Sequence, residues 1–165
     1  MRVWRISKKR CALSAFSGEG GLVAPARWHH VGHRIVYAAQ SLSPATIETW
    51  VHISPTHRLS DHVEVWADIP DELSIYNVSE SDLPAGWSVV SPPMLALRDI
   101  GTRWLQSRTS AVARVPAATT PGEFNYLLNP LHLDFATIHT GVPRPFTFDP
   151  RMWKKIDQNP NSGEP

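Results

Sequence analysis

Residues 20–53 constrain the fold of this chain more than any other stretch, because local signals divide them into a loop, a strand and a helix. The loop comes first, where glycines and Pro25 interrupt regular structure just before Arg27. A run of β-branched and aromatic residues around Tyr37 then predicts a buried strand over residues 33–39. A cation and an aromatic ring therefore lie on neighbouring elements.

A helix is predicted directly after this strand. Ser43 is a suitable N-cap, and Pro44 fits the first position of a helix. Ile47 and Val51 lie four residues apart on one helical face, with Glu48 beside them. The cation, the aromatic ring and this carboxylate are therefore predicted to converge.

The rest of the chain predicts more strands than helices. Strands are predicted over residues 1–6, 63–69, 73–78, 111–115 and 133–139, with an extended segment over residues 143–148. A short helix is predicted over residues 8–16, and an amphipathic helix, opened by Pro92 and Pro93, over residues 94–106. Since strands and helices do not alternate strictly, the predicted fold class is α+β, a single compact domain with a mixed or antiparallel sheet and flanking helices.

Composition limits the number of domains and the classes of partner. The 165 residues, 42% of them hydrophobic, suffice for one domain that buries about 70% of its extended-chain surface. Residues 1–156 are assigned to this domain, and residues 157–165 are predicted to form a disordered tail. The net charge of +1 favours neither direct nucleic acid binding nor a membrane surface, and no stretch is long enough to span a bilayer.

Cysteine usage bears on the compartment. Cys11 is the single cysteine, which excludes an internal disulfide, and the first apolar run is too short for the core of a signal peptide. A reducing cytoplasm is therefore the expected location. Charge is unevenly spread, with seven acidic residues and no Lys or Arg between Leu59 and Leu97. That run is either a solvated acidic face or a docking surface for a basic partner.

The eight histidines do not predict a metal site. His29 and His33 are four residues apart, but side chains at this spacing share a face only on a helix, and Gly32 argues against a helix there. The chain also lacks the glycine-rich phosphate-binding motifs of Rossmann and P-loop proteins. A nucleotide would therefore have to be held in another way.

Several motifs together resemble the RES domain, the toxin half of a bacterial toxin–antitoxin pair whose partner is an Xre-type helix-turn-helix protein. The motifs are ARW at residues 26–28, IVYAA at 35–39, IETWVHI at 47–53, Ser-Ala-Val at 110–112 and NYLLNP at 125–130. The resemblance runs from about residue 3 to residue 153. It implies a fold related to the ADP-ribosyltransferases.

The resemblance also implies that nicotinamide adenine dinucleotide (NAD) is the substrate, without a further cofactor, and that four residues are catalytic. Glu48 would stabilise the cation that forms when the nicotinamide–ribose bond breaks. Tyr37 would stack on the nicotinamide or the ribose. Arg27 would engage the pyrophosphate through its paired donors, and Ser110 would bond to the amide or to a phosphate oxygen.

Three more residues join Arg27 and Tyr37 as predicted substrate-binding residues. Trp28 lies beside Arg27, and family members often carry an arginine where this chain has Arg5, although a solvent-facing strand arginine is an equally good reading. Asn125 is expected to act structurally, by holding the site loop through backbone hydrogen bonds.

The function that the resemblance implies is NAD glycohydrolase or phosphorylase activity that arrests growth until an Xre-type antitoxin blocks it. Two alternatives stay open. One is mono-ADP-ribosyl transfer to a protein, and the other is a catalytically inactive module that only binds the antitoxin. The second alternative draws on Pro25-Ala26, which stand where the family usually has Gly-Gly. The resemblance further implies a homodimer.

Overall fold

The computed structural model describes residues 1–53, 61–89 and 95–153, and strands from all three parts join one mixed sheet. The strands are β1 (Arg2–Lys8), β2 (Val36–Ala39), β3 (His62–Asp68), β4 (Ile75–Asn77), β5 (Val112–Pro116), β6 (Phe124–Leu128), β7 (His139–Thr140) and β8 (Arg144–Phe146). Their order across the sheet is β4-β5-β6-β2-β1-β3-β7, and β8 also pairs with β3. The β4–β5 pair is parallel, while the other neighbours in the described sheet are antiparallel.

Helices flank this sheet. The α-helices of the described residues are α1 (Gly20–Val23), α2 (Leu42–Trp50) and α3 (Leu95–Ser107). Short 3₁₀ helices occur at Lys9–Cys11, Glu80–Asp82, Leu133–Thr137 and Pro150–Trp153. A single domain with a mixed sheet and a few helices confirms the predicted α+β class. In the part of the chain that the structure describes, no helix is long and apolar enough to cross a bilayer.

Alternation along β2 separates the two faces of the sheet. Val36 and Ala38 belong to the apolar cluster on one face. Tyr37 points the opposite way, because successive strand residues face opposite sides, and it packs against the cluster that contains Trp28 and Leu97. Since Leu97 lies on α3, that helix covers the face to which Tyr37 points.

A third cluster packs α2 against the strands. Ala39 of β2 and Ala45 of α2 are both buried, together with Phe148 near the end of the described chain. Trp50 and Trp153 meet edge to face beside them, with ring centroids 6.3 Å apart. This packing fixes α2 on the same face of the sheet as Ala39.

Helix α3 also approaches the loop before β2 very closely. A Cβ at Gly101 would overlap the carbonyl oxygen of Trp28, so the side-chain hydrogen of glycine permits the contact. One residue further along, Thr102 Oγ1 accepts a hydrogen bond of 3.0 Å from the backbone N–H of His30. Two adjacent positions of α3 therefore hold this loop.

Most predicted elements exist, with ends that move by up to three residues. Helix α2 begins at Leu42 rather than after Ser43, and its N-cap is Ser41, whose backbone is extended at φ −151° and ψ 175°. The predicted cap was therefore wrong. Pro44 is tolerated inside the first turn because the first N–H groups of a helix lack intrahelical partners anyway.

Three predictions of secondary-structure elements were also wrong. The loop before Arg27 contains the short helix α1, and the predicted helix over residues 8–16 is reduced to the 3₁₀ turn at Lys9–Cys11. Leu133–Thr137 is a 3₁₀ helix and not a strand, because His132 Nδ1 accepts a hydrogen bond from the Asp134 N–H and the side chain of Leu133 faces solvent. Strand β6, in the middle of the sheet, was missed.

Some predictions concern residues outside the described ranges. They are the opening of α3 at Pro92 and Pro93, the tail over residues 157–165, and a loop that Pro55 and His57 predict after α2. The acidic run is described in part. Asp68 pairs with Arg2 at 2.7 Å, and Asp71 pairs with the N-terminal amine at 2.9 Å. Two of its carboxylates thus pair with groups at the start of the chain.

Replacing Gly101 with alanine tests the close packing of α3. We expect Gly101→Ala to lower the free energy of unfolding by about 1–3 kcal/mol or more, because the new methyl group must push the helix off the Trp28 carbonyl. Gly20→Ala is the matched control, since a Cβ there meets no atom within 4 Å. Urea denaturation of both variants measures the difference, and equal stabilities would contradict the expectation.

Candidate active site

Strand register places Tyr37 and Asn125 on one face of the sheet. Tyr37 on β2 lies opposite Leu127 on β6, and Ala39 lies opposite Asn125. Side chains two residues apart along a strand point to the same face, and their positions are about 7 Å apart along the strand. The ring of Tyr37 and the amide of Asn125 are therefore neighbours on the face that α3 and α2 cover.

Glu48 reaches Asn125 from helix α2. Asn125 Nδ2 donates a hydrogen bond of 2.6 Å to Glu48 Oε1, and both side chains are partly exposed. Glu48 lies three residues after the buried Ala45, and positions at that spacing share a helical face. The packing of α2 on the sheet therefore carries the carboxylate to the strand, where the amide fixes one of its oxygens.

The hydroxyl of Tyr37 connects the loop to the sheet. It accepts a hydrogen bond of 3.1 Å from the backbone N–H of Trp28 and lies 2.8 Å from His29 Nδ1. His29 Nε2 lies 3.1 Å from the carbonyl oxygen of Ala24, which can only accept. The proton of neutral His29 is therefore on Nε2, and Nδ1 accepts the Tyr37 hydroxyl proton.

Burial shifts the titration of both rings. Burial raises the pKa of Tyr37 well above its usual value, although the hydrogen bond from Trp28 and nearby arginines partly oppose the rise. Burial likewise lowers the pKa of His29, and the charges of His33 and Arg98 add to that effect. The phenol is thus neutral, and its donor and acceptor positions are used within the protein. What Tyr37 offers a ligand is its ring.

Two arginines close to Tyr37 have no acidic partner. Arg5 Nη1 donates to the backbone oxygen of Tyr37 at 2.7 Å, and Arg27 Nη1 donates to the carbonyl oxygens of Trp87 and Val89 at 2.6 and 3.3 Å. Neither guanidinium forms an ion pair with a carboxylate of the described residues. Burial lowers the pKa of Arg5, whose Nε is buried and unpaired. Cations in this state favour the binding of an anion.

Unpaired polar atoms also collect near Asn125. Thr119 Oγ1, Thr120 Oγ1 and Glu123 Oε2 are buried and have no hydrogen-bond partner within the described part of the chain. All three lie in the turn that joins β5 to β6, and Glu123 is two residues before Asn125. Buried polar atoms normally have partners. A polar ligand or water at this end of the site would supply them.

A cavity elsewhere does not belong to this site. It has a volume of about 110 Å³ and lies between the turn at Ala15 and Phe16 and the segment at Gly141 and Pro143. Val65 in its wall belongs to the cluster on the face opposite Tyr37. Sites for drug-sized ligands occupy about 300–1,000 Å³, so this cavity is too small for a dinucleotide.

Two of the predicted site residues lie elsewhere. Trp28 has only 2% of its surface exposed and packs in the core, so its contribution to the site is the backbone N–H that meets Tyr37. Ser110 is buried beyond the start of β5, where its hydroxyl donates to the Val112 oxygen at 2.8 Å and accepts from Trp104 Nε1 at 3.0 Å. The fold places Ser110 away from the Glu48–Asn125 pair, because that pair adjoins the opposite end of β5.

Two further residues of the site were not predicted from the sequence. His29 was considered only as a metal ligand, whereas the structure uses it to hold Tyr37. Arg98 of α3 donates from Nε to the Ala26 oxygen at 3.1 Å, next to Arg27. The glycine inside α3 could have indicated a close approach at this point, but no local pattern pairs His29 with Tyr37. Among the described residues, no group of three His, Cys, Asp or Glu could hold a metal ion.

The lowered pKa of His29 predicts a pH-dependent stability. Above about pH 6.5, folded and unfolded chains both hold this histidine neutral. As the pH falls below that value, the unfolded chain binds the proton first, so the free energy of unfolding decreases until the lower pKa of the folded state is reached. Urea denaturation between about pH 7.5 and 5.5 should show this decrease. His29→Gln should flatten the slope and the exposed His52→Gln should keep it, while equal slopes for both variants would refute the assignment.

Comparison with known proteins identifies the family of this chain. The family model described as RES domain matches residues 2–149. The chain is 38% identical over 153 residues to "Toxin Res" of Yersinia enterocolitica, which covers 92% of this chain and 99% of that protein. It is 34% identical over 156 residues to "Prs ADP-ribosylating toxin" of Sphingobium sp. (strain YBL2), which covers 92% of this chain and 96% of that protein.

The fold also matches a solved structure. A chain of the M. tuberculosis MbcT–MbcA toxin–antitoxin complex superposes with a TM-score of 0.69 at 13% sequence identity, covering 92% of this chain and 85% of the other. At that identity the likeness concerns the fold. The family match and the sequence relatives carry the assignment: this chain belongs to the RES domain family of toxins.

Proposed function

We propose that this toxin consumes cytoplasmic NAD by cleaving the bond between nicotinamide and ribose, with water or phosphate as acceptor, and that the loss of NAD arrests growth. The observation that carries the proposal is the Glu48 carboxylate, which Asn125 holds on the sheet face that also presents the ring of Tyr37. Arg27, which has no carboxylate partner among the described residues, lies in the loop beside the same face. An anion, an aromatic surface and cations are what a pyridinium dinucleotide requires of its site.

The carboxylate serves the step in which charge develops. When the bond between C1′ of the ribose and the pyridinium nitrogen breaks, nicotinamide leaves as a neutral molecule with the bonding electrons, and the ribose becomes cationic at C1′. Negative charge placed near that carbon lowers the barrier, because it interacts more strongly with the transition state than with the substrate. The acceptor oxygen then bonds to C1′ and loses its proton. Asn125 fixes Glu48 for this task before substrate binds.

The remaining groups bind and orient the dinucleotide. Tyr37 contributes its ring, because its hydroxyl is engaged by Trp28 and His29. Arg27 supplies a cation for the phosphates, to which the planar guanidinium is suited. Arg5 pairs in register with Val65, on the face opposite the Tyr37 ring, so the proposal does not need its charge. The unpaired polar atoms of the β5–β6 turn face hydroxyl or amide groups of the ligand. Ser110 is not needed in this arrangement.

An antitoxin belongs to the same proposal. The M. tuberculosis neighbour of similar fold comes from a toxin–antitoxin complex, and an Xre-type helix-turn-helix protein is the partner that the family resemblance implies. An antitoxin that covers the face carrying Glu48 would exclude NAD and so keep the toxin inactive. A homodimer of the toxin is compatible with that arrangement.

Replacing Glu48 with glutamine tests the role of its charge. Gln keeps an oxygen that can accept the Asn125 hydrogen bond, so the fold should persist while nicotinamide release from NAD falls by about 10²–10³-fold. Glu80→Gln is the control, because Glu80 is an exposed carboxylate on a 3₁₀ turn. Retention of more than a tenth of the activity by Glu48→Gln would refute the catalytic role.

A second candidate function differs only in the acceptor. The Sphingobium relative carries the name "Prs ADP-ribosylating toxin", which favours transfer of ADP-ribose to a protein. Incubation of the toxin with cell lysate and with NAD labelled in its adenosine half separates the cases. Label on a protein band indicates protein transfer, free ADP-ribose indicates water, and ADP-ribose phosphate indicates phosphate. If all label stays in NAD, the chain is an inactive antitoxin-binding module.

A further inference from the structure

Arg98 is a cation that no motif of the chain singles out, and the fold places it beside Arg27. It lies in the first turn of α3, and its Nε donates to the carbonyl oxygen of Ala26 at 3.1 Å. Ala26 is bonded directly to Arg27. The two guanidiniums therefore approach the same short segment of the loop, Arg27 from within it and Arg98 from the helix that covers it.

The position of Arg98 is fixed by the packing of its helix. Gly101, three residues later, brings α3 against the backbone of Trp28. Thr102 then binds the N–H of His30. Residues 98, 101 and 102 lie within about one turn of each other on the helix. This side of α3 therefore contacts the loop at Ala26, Trp28 and His30. Arg98 is consequently held before any ligand arrives.

Neither guanidinium is neutralised by the protein. Asp99, the carboxylate next to Arg98 in sequence, bonds instead to His30 Nε2 at 2.7 Å. Arg27 donates hydrogen bonds from Nη1 to two carbonyl oxygens, whereas Arg98 donates only from Nε, to one carbonyl oxygen. Among the described residues, Nε and Nη2 of Arg27 and both Nη atoms of Arg98 have no partner. Both side chains are partly buried, where like charges repel more strongly than in water.

Both cations also act on the same phenol. The charges of Arg27 and Arg98 each stabilise the ionised form of Tyr37, so each guanidinium lies within electrostatic reach of the Tyr37 hydroxyl. A single phosphate monoester carries about −1.5 to −2 charges at neutral pH, but it is one group and leaves the donors of one guanidinium fork without a phosphate of their own. Two linked phosphates match them, because each group can meet one planar fork.

We infer that Arg98 is a second phosphate-contacting residue, which together with Arg27 forms a site for the diphosphate of the substrate. This inference rests on the proposed function, because it assigns the diphosphate of the NAD cleaved there to a second arginine. It makes the site selective for dinucleotides, since a nicotinamide mononucleotide has one phosphate group and offers no second group to the other arginine. Arg98 binds substrate and takes no part in bond breaking.

Binding of ADP-ribose and AMP to Arg98→Gln tests the inference without requiring any cleavage. ADP-ribose carries the diphosphate and lacks the nicotinamide bond, whereas AMP has one phosphate. Gln can keep a donor for the Ala26 oxygen, so the loop should hold its position while the charge is lost. We expect calorimetry to show ADP-ribose binding weakened about tenfold or more, the loss of one charge-assisted contact, and AMP binding changed less than about threefold.

Arg103→Gln is the matched control, because Arg103 is an exposed arginine of the same helix. Equal ADP-ribose affinity of the two variants, equal losses for ADP-ribose and AMP, or no ADP-ribose binding by the unaltered protein would overturn the inference. A thermal unfolding midpoint for Arg98→Gln close to that of Arg103→Gln shows that the loop is intact. The proposed function fails separately, through absence of nicotinamide release, and selective loss of ADP-ribose binding would then still support the diphosphate site.

Discussion

The hydrogen bonds at the Tyr37 hydroxyl join the parts of the molecule from which the site is built. The Tyr37 side chain projects from β2. Its hydroxyl accepts a hydrogen bond from the N–H of Trp28 and donates one to His29 Nδ1. These two bonds fasten the loop that carries Arg27 to the sheet that carries Asn125. Because the hydroxyl is buried, losing either partner would leave a polar group unpaired in a low-dielectric region, at about 1–3 kcal/mol. The distance between cation and carboxylate is set through this contact.

Charge in the site is divided between elements that do not neutralise each other. Glu48 is held by a neutral amide and not by an arginine, while Arg27 and Arg98 bond to backbone carbonyl oxygens. An ion pair between Glu48 and one of these arginines would have cancelled both charges. Carbonyl and amide partners orient the charged groups and leave the charges available. Such an arrangement favours a ligand that is cationic at one end and anionic at the other, as a pyridinium dinucleotide is.

Local sequence signals predicted the elements of the site better than the contacts between them. The β-branched run around Tyr37 and the apolar spacing in α2 placed a ring on a strand and Glu48 on a helix, as the structure has them. The Asn125–Glu48 bond spans 77 residues, and no local propensity encodes such a pairing. Strand β6 was missed because its motif served only the family resemblance and was assigned no secondary structure. Arg98 was missed because helical periodicity explains the apolar face of α3 and is silent about its polar side.

Pro25 and Ala26, which stand where the family resemblance led us to expect two glycines, limit how the loop can hold a ligand. Glycines let backbone N–H groups approach phosphate directly, whereas in this chain the Ala26 N–H bonds to the His29 oxygen and the Ala26 oxygen accepts from Arg98. The backbone at this point is thus already paired and cannot also serve the ligand. The ring of Pro25 restricts its own φ angle. The loop is therefore stiff, and its side chains are fixed. In the proposed site, phosphate recognition would therefore fall to guanidinium groups, which reach further than backbone N–H groups and carry full charge, and Arg98 on α3 would add donors that the paired backbone of Ala26 does not offer.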